Sequence, residues 1–213
     1  MRVTQYVLKA DWHSVWLPLR IPPCWSTKVS KSLPAIGFLT ALEDAQHGFF
    51  GGYLVLSELG RPLEFHCSTP VLPNQAQRIL YGKTLSAYVL GDLIGQTLLG
   101  KSQLPVQAVL TDQREMLGLT LVRDEIIICV ESNDHAEEGL EESTIPRFTL
   151  GGYRLFGTST CLWQPSEQEQ ALRNLAAHVD LAEPFERIRE AIREAQRVTD
   201  QPTDERHDRA DAA

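Results

Sequence analysis

The chain has 213 residues, 43% of them hydrophobic and 23% charged, and its 28 acidic and 20 basic side chains leave a net charge of −8. A chain of this length buries a full core in one domain, and this composition excludes a disordered or fibrous protein. The acidic balance argues against general nucleic-acid binding, which needs a concentrated Lys/Arg face, and no apolar run approaches the roughly 20 residues that cross a bilayer.

Residues 4–21 read as two short strands, "TQYVLK" and "VWLPLRI", the second with Val15, Leu17, Leu19 and Ile21 at period two. No uninterrupted apolar stretch precedes a small-residue cleavage site there, so a cytoplasmic setting is expected. Cys24, Cys67, Cys129 and Cys161 are widely spaced without a C-x-x-C pair, which predicts reduced thiols rather than a disulfide frame or a zinc knuckle. "PPCWSTKVSKSLP" carries Lys28 and Lys31 but no glycine frame to turn N–H groups toward a phosphate, and reads as a solvated loop.

"AIGFLTAL", "FFGGYLVLSE" and "LEFHCSTPV" predict an antiparallel meander. Pro62 has no N–H to close a two-residue turn, so "LGRP" reads as a four-residue connection that sets Glu58 opposite Leu63 and Leu54 opposite Cys67. Alternation then puts Leu54, Leu56, Leu63, Phe65 and Cys67 on one apolar face, and Tyr53, Val55, Ser57, Glu64, His66 and Ser68 on the other. Adjacent in sequence, His66 and Cys67 point apart. Cys67 and Cys129 read as small core hydrophobes. The Gly-Gly pairs of "FFGGY" and "TLGGY" read as bulges or bends.

The segment "GGYLVLSELGRPLEFHCSTPVLPNQAQRILYG", residues 51–82, resembles a conserved stretch of uncharacterised bacterial proteins of unassigned function, over about a sixth of the chain. The resemblance implies a bacterial cytosolic origin and carries no residue roles.

Within "PNQAQRILYG", Asn74 as N-cap, Gln77 as its capping-box partner and Gly82 at the stop predict a short helix. "TLSAYVLGDLIGQTLLGKS" predicts a central helix with Leu85, Tyr88, Val89, Leu93, Ile94 and Leu98 on its buried face, and Gly91-x-x-x-Gly95 permits close approach of a neighbour. "PVQAVLT", a helical turn in "DQREMLGL", and "EIIICVE" read as a tight parallel crossover. The acidic "SNDHAEEGLEEST" lacks calcium-loop order and reads as a solvated segment. "RFTLGGYRLFGTSTCLW" adds one or two strands. Two capped helices close the fold: Ser166 pairs with Glu169, Asp180 with Glu183, and the second helix carries a stripe of Phe185, Ile188, Ile192 and Ala195. The expectation is one mixed α/β domain over residues 1–198, a largely antiparallel sheet with packed helices and the 51–69 hairpin at its centre. A disordered charged tail over 199–213 should follow.

No G-x-S-x-G, Walker-type loop, H-E-x-x-H or dinucleotide fingerprint occurs, so no cofactor and no metal are expected. The candidate catalytic residues are His66 and Glu64, with Ser68 on the same face, and Asp112, a carboxylate just after a buried strand where open α/β sheets place ligand groups. Each has a bland counterpart. Strand neighbours two apart lie about 7 Å from one another, which makes Glu64 and His66 a polar sheet face. Asp112 with Glu115 reads as a capping box.

Two function classes follow. The first is a non-catalytic binding or assembly component that interacts with another protein, or with copies of itself, through its charged terminal helix and tail; it binds no membrane and no nucleic acid in general. The second is a small-molecule enzyme with a site near Asp112 and the Glu64/His66/Ser68 face.

Overall fold

The computed structural model describes residues 35–133, 147–158 and 165–200. The strands expected at 4–21, the acidic segment from residue 134, the side chain of Ser166 and the tail beyond Asp200 lie outside the described residues.

Among the described residues, seven strands form one mixed sheet: β1 (Ala35–Asp44), β2 (Gly48–Ser57), β3 (Pro62–Cys67), β4 (Ala108–Thr111), β5 (Ile127–Ser132), β6 (Arg147–Leu150) and β7 (Tyr153–Phe156). Their order is β3-β2-β1-β4-β5-β7-β6. β4 runs parallel to both β1 and β5, and the remaining pairs are antiparallel. The meander and the parallel crossover stand where the alternation placed them, but the β2–β3 hairpin sits at the sheet edge. The centre is β4, a short strand buried at every position.

The first helix, α1 (Gln75–Tyr81), has the full capping box, with Gln77 N–H donating to Asn74 Oδ1 and Asn74 N–H to Gln77 Oε1, both at 2.9 Å. The second, α2 (residues 85–99), is helical throughout but winds wider over Tyr88–Gly95, where Gln96 N–H reaches Gly91 O five residues back. This π stretch turns Val89, Leu90, Gly91, Ile94 and Gly95 together into the core and leaves Leu93 half-buried, a face the 3.6-residue period does not give. The other two are α3 (Pro165–Ala176) and α4 (Glu183–Asp200).

Strand parity divides the apolar side chains into two cores. Ile36, Phe38, Leu54, Leu56, Leu110, Ile128 and Val130 pack under α3 and α4. Leu39, Tyr53, Val55, Val109 and Ile127 pack under α2 and the 3-10 helix Arg114–Leu121. The sheet is thus the middle layer of three.

The two Gly-Gly pairs serve different ends, and the first is no bulge. Gly51 and Gly52 stand in regular register opposite Ala41 and Thr40. A Cβ on Gly51 would lie 2.1 Å from Ile94 Cγ2 of α2, and one on Gly52 would lie 2.3 Å from Ile188 Cγ2 of α4. Missing side chains on opposite faces let both helices close on the same two residues. Gly151 and Gly152, with φ of 59° and 84°, make the two-residue turn between β6 and β7. Two successive positive φ values are what such a hairpin requires.

Candidate functional site at the carboxyl edge of the sheet

The β2–β3 register tests the parity argument first. Gly52 faces Cys67, Tyr53 faces His66 and Leu54 faces Phe65, two positions from the expected pairing, and a bulge near Val55 and Leu56 takes up the difference. A two-residue slip preserves faces. Cys67 and Phe65 therefore pack on the α3/α4 core as expected, while Leu63, at the bulge, is turned out and 50% exposed. Cys67 and Cys129 are free thiols. Burial pushes both up, Cys129 to about 12 with the Glu131 and Asp112 carboxylates adding to the effect. Neither is a poised nucleophile.

On the opposite face, Glu64 and His66 do touch, with Nε2 to Oε1 at 2.7 Å, a leaning that the spacing along an ideal strand does not give. Ser102 Oγ donates to the other carboxylate oxygen at 2.9 Å, and the N–H groups of Gln103 and Leu104 donate at 3.1 and 3.4 Å. Burial alone would raise the Glu64 carboxyl, but these donors, His66 first among them, hold it below its ordinary range. A carboxylate so fully engaged fastens the loop after α2 to β3. Ser68 takes no part, since its Oγ accepts from Gly51 N–H at 2.9 Å.

Asp112 lies elsewhere. It follows β4, where alternation turns it to the α4 face. The capping box expected of it does not form, because the 3-10 helix starts at Arg114 behind Gln113 and has no side-chain cap. Instead, Thr40 Oγ1 of β1 donates to Asp112 Oδ1 at 2.7 Å, and Arg189 of α4 pairs with Oδ2. Arg189 also donates to Thr40 Oγ1 at 3.2 Å and pairs with Glu186. The buried stripe of Phe185, Ile188 and Ile192 seats α4 so that Arg189 reaches the strand ends. Beside this triad, Gln113 clasps the Ala41 peptide, accepting its N–H at 3.0 Å and donating to its carbonyl at 3.1 Å. That clasp lengthens the β1–β4 ladder by one side chain. The carboxylate of Asp180, the other expected cap, accepts from Ala182 N–H at 2.9 Å and from Tyr153 Oη at 2.7 Å, while Glu183 N–H donates to the Asp180 backbone carbonyl at 3.2 Å.

At the same end of the parallel strands, on the α2 face, Glu131 of β5 accepts from Arg114, with Nη2 at 2.9 Å, and from Arg154 Nη2 at 2.8 Å. Burial would raise its carboxyl, yet the two arginines hold it low. Both guanidinium groups lie over the Phe156 ring, at 5.8 and 5.7 Å from its centroid. The Nε of Arg154 is buried and has no partner in the structure.

The sheet thus separates Asp112 from Glu64 and His66, which do not share a site. A cavity of about 560 Å³ lies at the opposite, amino edge, lined by Tyr53, Ser102, Arg123, Glu125 and Gln168 among others, and it includes none of the three. Among the described residues no group of three His, Cys, Asp or Glu side chains could hold a metal ion. Among them, too, no helix is long and apolar enough to cross a membrane.

No family model and no curated protein matches the chain. Solved structures similar to it include Endonuclease V of Ciona intestinalis in complex with a 23mer DNA containing an inosine followed by a ribo-adenosine, at 10% identity, TM-score 0.46, 79% of this chain and 87% of that one. The catalytic domain of human Endonuclease V matches at 16% identity, TM-score 0.46, 79% and 86%. Argonaute of Marinitoga piezophila, in complex with a 5′ OH guide RNA, matches at 15% identity, TM-score 0.31, 68% and 25%. These neighbours correct two expectations: the non-catalytic component that engages another protein, and the exclusion of nucleic acid. They are nucleases' catalytic domains or nucleic-acid complexes. At such identities and scores the likeness transfers no residue role, and the site's chemistry rests on its own side chains.

Proposed function

We propose that this chain is an enzyme acting on a phosphate-bearing ligand, a nucleotide or a nucleic-acid strand, at the carboxyl edge of β1, β4 and β5, and that it works in the cytoplasm. The free thiols, Cys67 half-buried and Cys129 buried, support that setting. The observation that carries the rest is the triad of Arg189, Asp112 and Thr40 where the parallel strands β1 and β4 end. Crevices outside the carboxyl ends of parallel strands are where open α/β sheets take ligands.

A guanidinium fork matches phosphate oxygens in pairs, so an entering phosphate competes with Asp112 for Arg189. Arg114 and Arg154, both held by Glu131, add two more guanidinium groups at the same end. Once Arg189 has turned to the phosphate, Asp112 keeps only the Thr40 hydroxyl and can accept a proton. In hydrolysis, water adds to phosphorus, its proton passes to Asp112, and the ester oxygen leaves with a proton from solvent.

Calorimetric titration with uridine monophosphate and with a short oligothymidine strand tests this. Arg189→Ala should weaken binding on the order of tenfold, the scale of one lost charge-assisted hydrogen bond. Asp112→Asn should bind at least as well as the wild type and lose turnover. Equal binding by Arg189→Ala and wild type would sink the proposal.

A further inference from the structure

The segment from Phe65 to Gly91 contains no Asp or Glu in a chain that carries 28 of them. Its cations, Arg78 and Lys83, have no carboxylate partner among the described residues. It holds α1, a helix that buries none of its residues. Leu72, Ile79 and Leu80 stand in solvent at 63%, 69% and 82% exposure. Next to them the rings of Tyr81 and Tyr88 stack at 4.0 Å with a 16° interplanar angle, both half-buried. A globular protein does not ordinarily hold a capped helix off its body with its large apolar side chains outward.

The patch is also well placed. Its chain leaves β3 through the Phe49–Val71 bridge, beside the turn where β1 ends. Farther along, a Cβ on Gly91 would lie 3.6 Å from the carbonyl oxygen of Glu115, the residue after Arg114. It therefore adjoins the carboxyl edge on which the phosphate site was built.

We infer that α1 and the Tyr81–Tyr88 pair form a docking surface for unpaired nucleobases of a single-stranded nucleic acid, its phosphates met by Arg78 and Lys83. The inference rests on the reading of the carboxyl edge as a phosphate site, and it narrows the ligand to an unpaired strand. The charge favours a polyanion, since Arg78 and Lys83 stand without a carboxylate partner among the described residues of a net-acidic chain and the one carboxylate felt at Tyr81 is Asp92, just past the segment. The aromatic pair favours bases: stacking on aromatic side chains is how sequence-tolerant single-strand sites gain affinity, and the half-buried rings of Tyr81 and Tyr88 keep part of their surface in solvent beside the exposed Leu80. An anionic membrane fits less well, because seven residues with one arginine are too short and too weakly charged for an interfacial helix.

Fluorescence anisotropy with labelled oligothymidine, the same strand annealed to oligoadenosine, and calorimetry with uridine monophosphate test it. The full chain should bind the single strand more tightly than the duplex. The double variant Tyr81→Ala/Tyr88→Ala should bind the single strand on the order of tenfold more weakly, with its uridine monophosphate affinity unchanged. Tyr81→Phe, which keeps the ring, should bind as wild type. Leu80→Ser changes a side chain in solvent, keeps the fold and should weaken strand binding too. If the tyrosine variant binds the strand as wild type does while Arg189→Ala does not, the docking surface is wrong and the phosphate site stands. If the tyrosine variant loses binding while Arg189→Ala keeps it, the docking surface stands and the phosphate site is wrong. Equal affinity for strand and duplex overturns the inference, as does Leu80-dependent co-sedimentation with phosphatidylserine vesicles in place of strand binding.

Discussion

At the scale of single residues, the chain uses carboxylates to fasten elements together, and Glu64 shows how far that goes. Its partners come from β3 and from the loop after α2, and its carboxyl sits below the ordinary value of 4.5 in spite of burial. A carboxyl lowered on folding stabilises above its unfolded pKa, and that contribution is lost as pH falls through the folded value. Glu64→Gln should therefore cost about 1–3 kcal/mol at neutral pH, the range for charge-assisted hydrogen bonds. Wild type and variant should converge in urea melts taken at pH below the ordinary carboxyl range. A constant difference down to strongly acidic pH would show that the loss is one of packing instead. The contact of Glu64 with His66 was not legible from strand spacing, because two side chains leaning together close a distance that the backbone alone leaves open. The triad at Asp112 was less legible still. Thr40, Asp112 and Arg189 stand 72 and 77 positions apart in sequence, and each has a sufficient local explanation as strand interior, helix cap or solvated arginine.

At the scale of elements, local periodicity carried well where side chains answer to a regular backbone, and failed where the backbone departs from it. Faces of β2 and β3 followed from alternation, Leu63 at the bulge excepted, even though the register differs by two, since parity survives an even slip. The buried face of α2 followed from a 3.6-residue period at Leu85, Tyr88, Val89, Ile94 and Leu98, which all meet the core, but not at Leu93, because the π stretch brings Leu90, Gly91 and Gly95 round with Ile94. Gly51-Gly52 was legible as a special position but not in its role, which depends on two helices distant in sequence. That role gives a prediction linking packing to the site. Gly52→Ala would put a methyl 2.3 Å from Ile188 Cγ2 and 3.1 Å from Ile192 Cδ1, so Ile188 must give way, and a side chain branched next to the backbone carries α4 with it. A stability loss of about 1–3 kcal/mol is expected from such overpacking, together with weaker ligand binding as Arg189 leaves Asp112. Adding Ile188→Ala should restore binding by making room for the methyl. Undiminished binding in Gly52→Ala would mean that the approach of α4 does not set the site.

At the scale of the whole molecule, a three-layer α/β/α body presents two unlike ends. The amino edge carries a cavity with the Arg123–Glu125 pair, and the carboxyl edge gathers Arg114, Arg154 and Arg189. A net charge of −8 does not decide against a phosphate ligand, because an average over the chain says nothing of where the cations stand. Few phosphate contacts on an acidic body predict a shallow salt dependence. With Arg114, Arg154 and Arg189 engaged together with Arg78 and Lys83, the slope of log affinity against log salt for a single strand should be roughly −3.5, and a slope several times steeper would require a basic face that the described residues do not provide. The central claim, that a phosphate-bearing ligand lands on the Arg189–Asp112–Thr40 edge, is tested most directly by locating the ligand. In nitrogen-proton correlation spectra of the labelled chain titrated with uridine monophosphate, the Arg189 side-chain Nε–H and the Thr40 and Gln113 amides should move together and saturably, while Ser102 and Arg123 at the far edge stay still. Shifts confined to Ser102, Arg123 and the amino-edge cavity, or none at the Arg189 side chain, would contradict the account.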